Sequence, residues 1–365
     1  MAKRRDELFL KNGSLLLEKL VCSFNGKSNP IRSFSDKELQ KATNNYSSAL
    51  DLHDSGYYKC YKGSVDDRLI CVRKFDPNYR YPFEGPLERI INEIAIATQM
   101  SAHKNVLKLL GCCLETQFPT LVYEFPMDGS LSHLSPNPNR RIKSQPLLLK
   151  SRLRIAWEIA NVAAYLHTAF ARPFIHRDIR LDNFFLDQDC APKLFNFFFC
   201  IPIPEGETHA TDEVMGITGN IAPESLETGK FTEKNDVFSF GTLLLELLTG
   251  QRGYDLSQDE TALLLNCGDG VVDATIPVEG EGILEQQVYK LFLRCSSLTA
   301  EERPTMVDVS KELRQILRLG SEDNLRSKSA SGMSLPAHLQ QQPWQRARRL
   351  PHWYLLAEKM RENRL

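Results

Sequence analysis

No two of the nine cysteines stand in a CxxC spacing, and no His/Cys spacing in the chain suits zinc. An odd set of thiols without those spacings gives no disulfide framework and no metal staple. A chain of 365 residues, 42% hydrophobic and 25% charged, is therefore expected to hold itself together with an ordinary buried core. Long apolar runs are also missing. MAKRRDELFL lacks the apolar stretch of a signal peptide, and no later segment approaches the roughly 18 apolar residues of a membrane span. Position 2 is alanine, so the myristoylation signal that needs glycine there is absent. The expectation is a cytoplasmic protein whose contact with the inner face of the plasma membrane, if any, is peripheral. Internal repeats are lacking too. The basic residues form no stripe within the body, which argues against nucleic acid as a partner.

The net charge of -1 is unevenly spread. Residues 1–33 and 320–365 each sum to +4, leaving the middle at -9. Basic ends of this kind suit solvated tails or contact with an anionic membrane face or an acidic partner.

Along the chain, Leu8, Leu15, Leu16, Leu20 and Val21 follow a helical period that Asn12-Gly13 interrupts, which predicts two short amphipathic turns over residues 6–24. Ser35 and Glu38 form a capping box and mark the start of a further helix. From Ser55 to Phe75 the text is strand-like, with tight turns at Gly56, Gly63 and Asp66-Asp67. A helix is expected at about 86–100, then strands over Val106–Cys112 and Thr120–Phe125. Beyond a Pro/Asn-rich loop at 135–146 the pattern turns helical: Ala156, Ile159, Ala160 and Ala163 share a face, as do Val237, Phe240, Gly241 and Leu244. Another helix opens with Pro304 in its first turn and lines up Met306, Val309, Leu313 and Ile316. A strand-rich part before a helix-rich part predicts an α+β protein. After Leu319 the sequence becomes Ser/Gly/Gln-rich and basic, which predicts a poorly ordered tail over 320–365.

The chemistry-bearing text is HRDIRLDN at 176–183. It matches the catalytic loop of protein kinases, with Asp178 at the base position and Asn183 at a metal-ligand position. Other kinase landmarks appear in order: Glu93 in the helix after the strands, a hinge at Tyr123, Glu124 and Phe125, APE at 222–224, Asp236, and Arg303 within ERPTM. Glu224, Asp236 and Arg303 read as supports of the fold.

With these residues the chain resembles plant receptor-like cytoplasmic kinases, and more closely the ZED-type, or ZRK, kinase-like proteins. The closer likeness is carried by LFLKNGSLLLEKLVCSFNGKSNPIRSFSDKELQKATNNY, LLGCCLE, AYLHTAF and IHRD followed by FFLD. The resemblance implies a bilobal protein-kinase-like fold over residues 34–319, preceded by a helical extension at 1–33. Its antiparallel β-rich N-lobe would span about 34–125 and its α-helical C-lobe about 126–319. It also implies a role in plant innate immunity, with a nucleotide-binding leucine-rich-repeat receptor, receptor-like cytoplasmic kinases and a bacterial effector as partners.

Measured against the chemistry of phosphoryl transfer, several parts are altered. The three glycine positions of the phosphate-covering loop hold His53, Ser55 and Tyr58, and a side chain at 58 should obstruct the close cover over the γ-phosphate. Arg73 stands where a lysine would meet Glu93 and the phosphates, a swap that changes reach and geometry. Lys74 next to it should face the other side of the strand. Asn196-Phe197-Phe198 replaces DFG, removing the negative charge that anchors Mg²⁺ and the flexible glycine after it. Pro126 removes a hinge N–H. Arg180 replaces the catalytic-loop lysine, and Ile217 the threonine of the GTxGY segment. The reading is a catalytically impaired pseudokinase acting as an adaptor or scaffold. The alternative is a weakly active serine/threonine kinase transferring the ATP γ-phosphate. No cofactor is expected, or at most weakly held ATP with Mg or Mn. Thr208, Thr211 and Thr218 are candidate modification sites or plain surface threonines.

Overall fold

The structure is a computed structural model that describes residues 2–24, 26, 29–127, 129–131, 148–217, 219–249 and 283–329. Thr218, the loop at 135–146 and most of the expected tail lie outside the described residues.

The chain divides into two compact units, Met1–Ser132 with Leu181–Pro202, and His133–Arg180 with Ile203–Leu365. The first is built on a six-stranded sheet in the order β1-β5-β6-β4-β3-β2. Its strands are β1 (Arg32–Ser33), β2 (Asp51–Asp54), β3 (Tyr58–Val65), β4 (Arg68–Phe75), β5 (Leu109–Cys113) and β6 (Thr120–Glu124). The hairpin between β3 and β4 turns at Asp66 and Asp67, both at positive φ (49° and 61°), as a two-residue turn requires. β1 is the one parallel neighbour, and it approaches β5 so closely that a Cβ on Gly111 would stand 2.0 Å from the Arg32 carbonyl oxygen. Glycine at 111 is what lets β1 join the sheet.

Three helices complete this unit: α1 (Ala2–Phe24), α2 (Asp36–Ala42) and α3 (Pro86–Met100). The capping box on α2 forms as its sequence predicts: Ser35 Oγ accepts the Glu38 N–H, and Glu38 accepts the Ser35 N–H at 2.9 Å. α1 corrects one expectation, because it is a single helix with no break at Asn12-Gly13. The Asn12 side chain is wholly buried and donates to the carbonyls of Leu114 (2.9 Å) and Thr116 (3.0 Å). An amide that would otherwise compete for the helix's own backbone is instead spent on a long-range anchor.

β4 applies the strand period of two. Ile70 and Val72 join Phe34, Leu39, Cys113 and Val122 in a core under α2. Cys71 and Arg73 therefore lie on the opposite face, toward α3. β5 starts later than its sequence suggests, at Leu109, while Val106 bridges Leu194.

The second unit is helical: α4 (Leu149–Thr168) packs on α8 (Met306–Ser329), α6 (Glu233–Thr249) packs on α7 (Ile283–Cys295), and the short α5 spans Pro223–Thr228. α8 begins at Met306 rather than with Pro304 in its first turn. The Thr305 hydroxyl accepts the Asp308 N–H and so sets the start. Met306, Val309, Leu313 and Ile316 are all buried.

Two polar clusters tie together the segments that flank these helices. Arg303, 1% exposed, grips both carboxylate oxygens of Glu224 at 2.7 and 2.8 Å. Asp236 on α6 accepts the N–H groups of His176 (2.7 Å) and Arg177 (2.8 Å) and meets His167 Nε2 at 2.8 Å. These bonds fix Arg177 at φ 68°, a left-handed conformation costly for a side chain of this size. Burial pushes the Asp236 carboxyl up, but His167 and the His176 N–H outweigh it and hold the group below the usual carboxylate range. A depressed carboxylate stabilises the fold above its unfolded pKa, and that contribution fades as pH falls through the lower folded value. Asp236→Asn should thus cost on the order of 3 kcal/mol at pH 7, with the gap to wild type narrowing below about pH 4, as read by urea unfolding at the two pH values.

Candidate active site

The landmark residues of the first unit converge on one another. Arg73 and Glu93 are both 0% exposed, and Arg73 Nη1 donates to Glu93 Oε1 at 2.5 Å. Nη2 donates to Asn196 Oδ1 at 2.9 Å, and Nη1 also reaches the Phe195 carbonyl at 3.5 Å. The same Glu93 oxygen accepts from the Phe197 N–H (3.2 Å) and the Tyr123 hydroxyl (3.3 Å). Burial pushes the Glu93 carboxyl up, while Arg73 and these donors pull it back. Arg73 stays cationic: burial opposes its charge, but Glu93 and the surrounding oxygens raise its pKa further.

The altered loop supplies the lid. Ser55 closes the turn before β3, its Oγ accepting the Tyr58 N–H at 3.2 Å. Tyr58, 2% exposed, points inward with its ring 3.6 Å from the Arg73 guanidinium carbon. At that range the contact is a cation–π stack. The sequence predicts an obstruction over the phosphates, and the structure places the ring on the cation that would meet them. His53 packs against Tyr58 and Phe195, with ring centroids 5.7 and 5.9 Å away.

Asn196 does more than lose a charge. Its Oδ1 accepts from Arg73 and from the Phe198 N–H (3.3 Å), which turns its Nδ2 toward Asn183, whose Oδ1 accepts at 2.8 Å. Two residues whose oxygens would share a metal in a working kinase are joined here by an amide N–H. Divalent cations need those oxygens, and this donor set presents one to an arginine and the other to an amide. The residues present do not fit a Mg²⁺ ion.

Phe198, in place of the flexible glycine, is 1% exposed and centres an aromatic cluster. It stacks on Phe75 at 5.6 Å and touches Tyr57, Phe83 and Phe199 at 5.1 to 5.6 Å. This cluster is absent from the sequence reading. The signal available was the density of rings in FNFFF at 195–199 and among Tyr57, Tyr79, Tyr81 and Phe83. At the hinge, Tyr123 and Pro126 are buried, and Glu124 Oε1 accepts the Lys108 N–H at 3.1 Å.

In the second unit, Asp178 is 6% exposed and paired with Arg180, Nε to Oδ1 3.1 Å. Arg177, which the sequence reading passed over, is paired with Asp212 at 2.5 Å, donates to the Glu213 carbonyl, and lies 4.1 Å from the Phe231 ring. Asp212 thus neutralises this arginine in the segment where kinases commonly place a phosphate. Thr208, Thr211 and Ile217 are exposed.

The comparisons agree with this architecture. Residues 58–313 match the model of the protein tyrosine and serine/threonine kinase family. The Arabidopsis thaliana protein named non-functional pseudokinase ZED1 is 37% identical over 339 residues, covering 87% of this chain and 98% of that protein. Serine/threonine-protein kinase ZRK1 of the same plant is 38% identical, covering 84% of this chain and 92% of its own length. Non-functional pseudokinase ZRK2 is 36% identical, with 86% and 90% covered. A match to the kinase model across both units, and relatives of this similarity along nearly their whole length, establish that the chain belongs to the protein kinase family, in its ZRK group.

Proposed function

We propose that this protein is a pseudokinase that serves as an adaptor in plant innate immunity, linking effector-modified host kinases, or the effector itself, to the leucine-rich repeats of a nucleotide-binding receptor. One observation carries the catalytic half of this reading: the cation that should receive the phosphates is 0% exposed, with Glu93, Asn196 and the Tyr58 ring as its partners. Phosphoryl transfer relies on positioned cations to neutralise developing charge, and a guanidinium enclosed in this way has no surface to offer. The names of ZED1 and ZRK2 as non-functional pseudokinases support it. The adaptor half rests on kinship with that group. Neither nucleotide nor metal is required in this reading, and the protein works in the cytoplasm. Among the described residues no helix is long and apolar enough to cross a membrane.

A second reading, a slow serine/threonine kinase, draws on Asp178 beside Arg180 and on the name of ZRK1. The two part in a reconstitution. Mixed with the leucine-rich-repeat region of a plant immune receptor, the chain should elute as a stoichiometric complex without ATP, and Asp178→Asn should assemble equally well. A complex that forms only with ATP, or is lost in Asp178→Asn, favours the kinase. Failure with every receptor tried, modified kinases present, removes the adaptor role.

A further inference from the structure

Lys74 follows the enclosed Arg73 on β4 and faces the other side of the sheet. There it helps line a cavity of about 350 Å³ bounded by the start of α1, by α2 and by residues 115–120.

Its wall carries three cations, Arg4, Arg5 and Lys74, and two carboxylates, Asp36 and Glu115, for a net charge of +1. Of the two acids in the wall, Asp36 pairs with Arg5 at 3.0 Å, and Glu115 accepts the Asp36 N–H at 3.0 Å, closing the first turn of α2. Lys74 has no carboxylate or carbonyl partner among the described residues. Its ammonium lies 3.7 Å from the centre of the Tyr46 ring, half-buried, and burial lowers its pKa. Arg4, at the rim, is likewise without an acceptor among the described residues. The wall also contains Thr120, whose buried hydroxyl has no partner among the described residues. The first turn of α1 is unfavourable as it stands, because Lys3, Arg4 and Arg5 crowd its positive dipole end with no acid among them.

Arg4 and Lys74 can each meet an oxygen of a phosphate monoester, which carries about -1.5 to -2 at neutral pH, and the net positive wall favours an anion over a neutral ligand. The rest of the wall includes Leu8, Pro77 and Phe118, which suit an apolar body. We propose that this cavity is a binding site for a small organic phosphate, with Arg4 and Lys74 on the phosphate and Leu8, Pro77 and Phe118 on the body.

The test is calorimetric titration of the full chain with phenyl phosphate at low ionic strength, with inorganic phosphate and phenol as comparison probes. Phenyl phosphate should bind, inorganic phosphate more weakly and phenol not at all. Lys74→Met and Arg4→Gln should each weaken binding about tenfold, whereas Lys108→Gln leaves it unchanged. Arg4 is exposed, so its variant keeps the test open if Lys74→Met fails to fold. Absence of binding at about 10 mM, equal affinity for inorganic phosphate, or unchanged binding in Arg4→Gln would each overturn the assignment.

Discussion

Arg73→Ala is expected to destabilise the fold by about 3 to 5 kcal/mol, the cost of leaving a buried charge without its partner. Glu93 keeps only the Phe197 N–H and the Tyr123 hydroxyl in that variant, and its second carboxylate oxygen already has no partner among the described residues. The Tyr58 ring loses the cation beneath it, and Asn196 Oδ1 loses its stronger donor. Arg73→Lys should cost less, because an ammonium can still meet Glu93, but its single nitrogen cannot serve Glu93 and Asn196 as Nη1 and Nη2 do. Combining Arg73→Met with Glu93→Leu should recover part of the loss, since no unpaired charge remains. Urea unfolding of the three variants beside the wild type checks this order. A ranking in which Arg73→Ala is neutral would mean the pair is open to water.

Asn196→Asp should lower stability by about 2 to 4 kcal/mol and still not create phosphotransfer. The substitution sets a carboxylate oxygen where Nδ2 now donates, 2.8 Å from Asn183 Oδ1, so two acceptors face each other. It also places a second carboxylate on a guanidinium already paired with Glu93. The restored charge gives Mg²⁺ a ligand, but Arg73 remains enclosed under Tyr58. Urea unfolding and a radiolabelled autophosphorylation assay report the two effects separately. Transfer gained at unchanged stability would make the missing metal charge the sole defect.

Much of this was legible beforehand because it follows local rules or a fixed order of landmarks. The Ser35–Glu38 capping box is written in four residues, α3 is marked by Pro86 and its apolar period, and the strand period alone puts Arg73 and Lys74 on opposite faces. The residues that fill the site were harder to read. Losing aspartate at 196 predicts a lost charge, but the amide N–H that takes up the Asn183 oxygen depends on a contact thirteen positions away. Tyr58 turning inward, and the meeting of Tyr57, Phe75 and Phe83 with Phe198, are tertiary events with no local period. Asn12 misled for the same reason, since its partners lie about a hundred residues further on.

The most direct test is the melting temperature of the purified chain as ATP is added with Mg²⁺ or Mn²⁺. A ligand bound only by the folded state at a Kd of about 0.1 mM would add about 2.3 kcal/mol at 5 mM. With Arg73 enclosed and the Asn183 and Asn196 oxygens taken, no metal-dependent shift is expected in the wild type or in Lys74→Met, the latter excluding phosphate held at the outer cavity. A metal-dependent rise that persists in Lys74→Met would contradict that expectation.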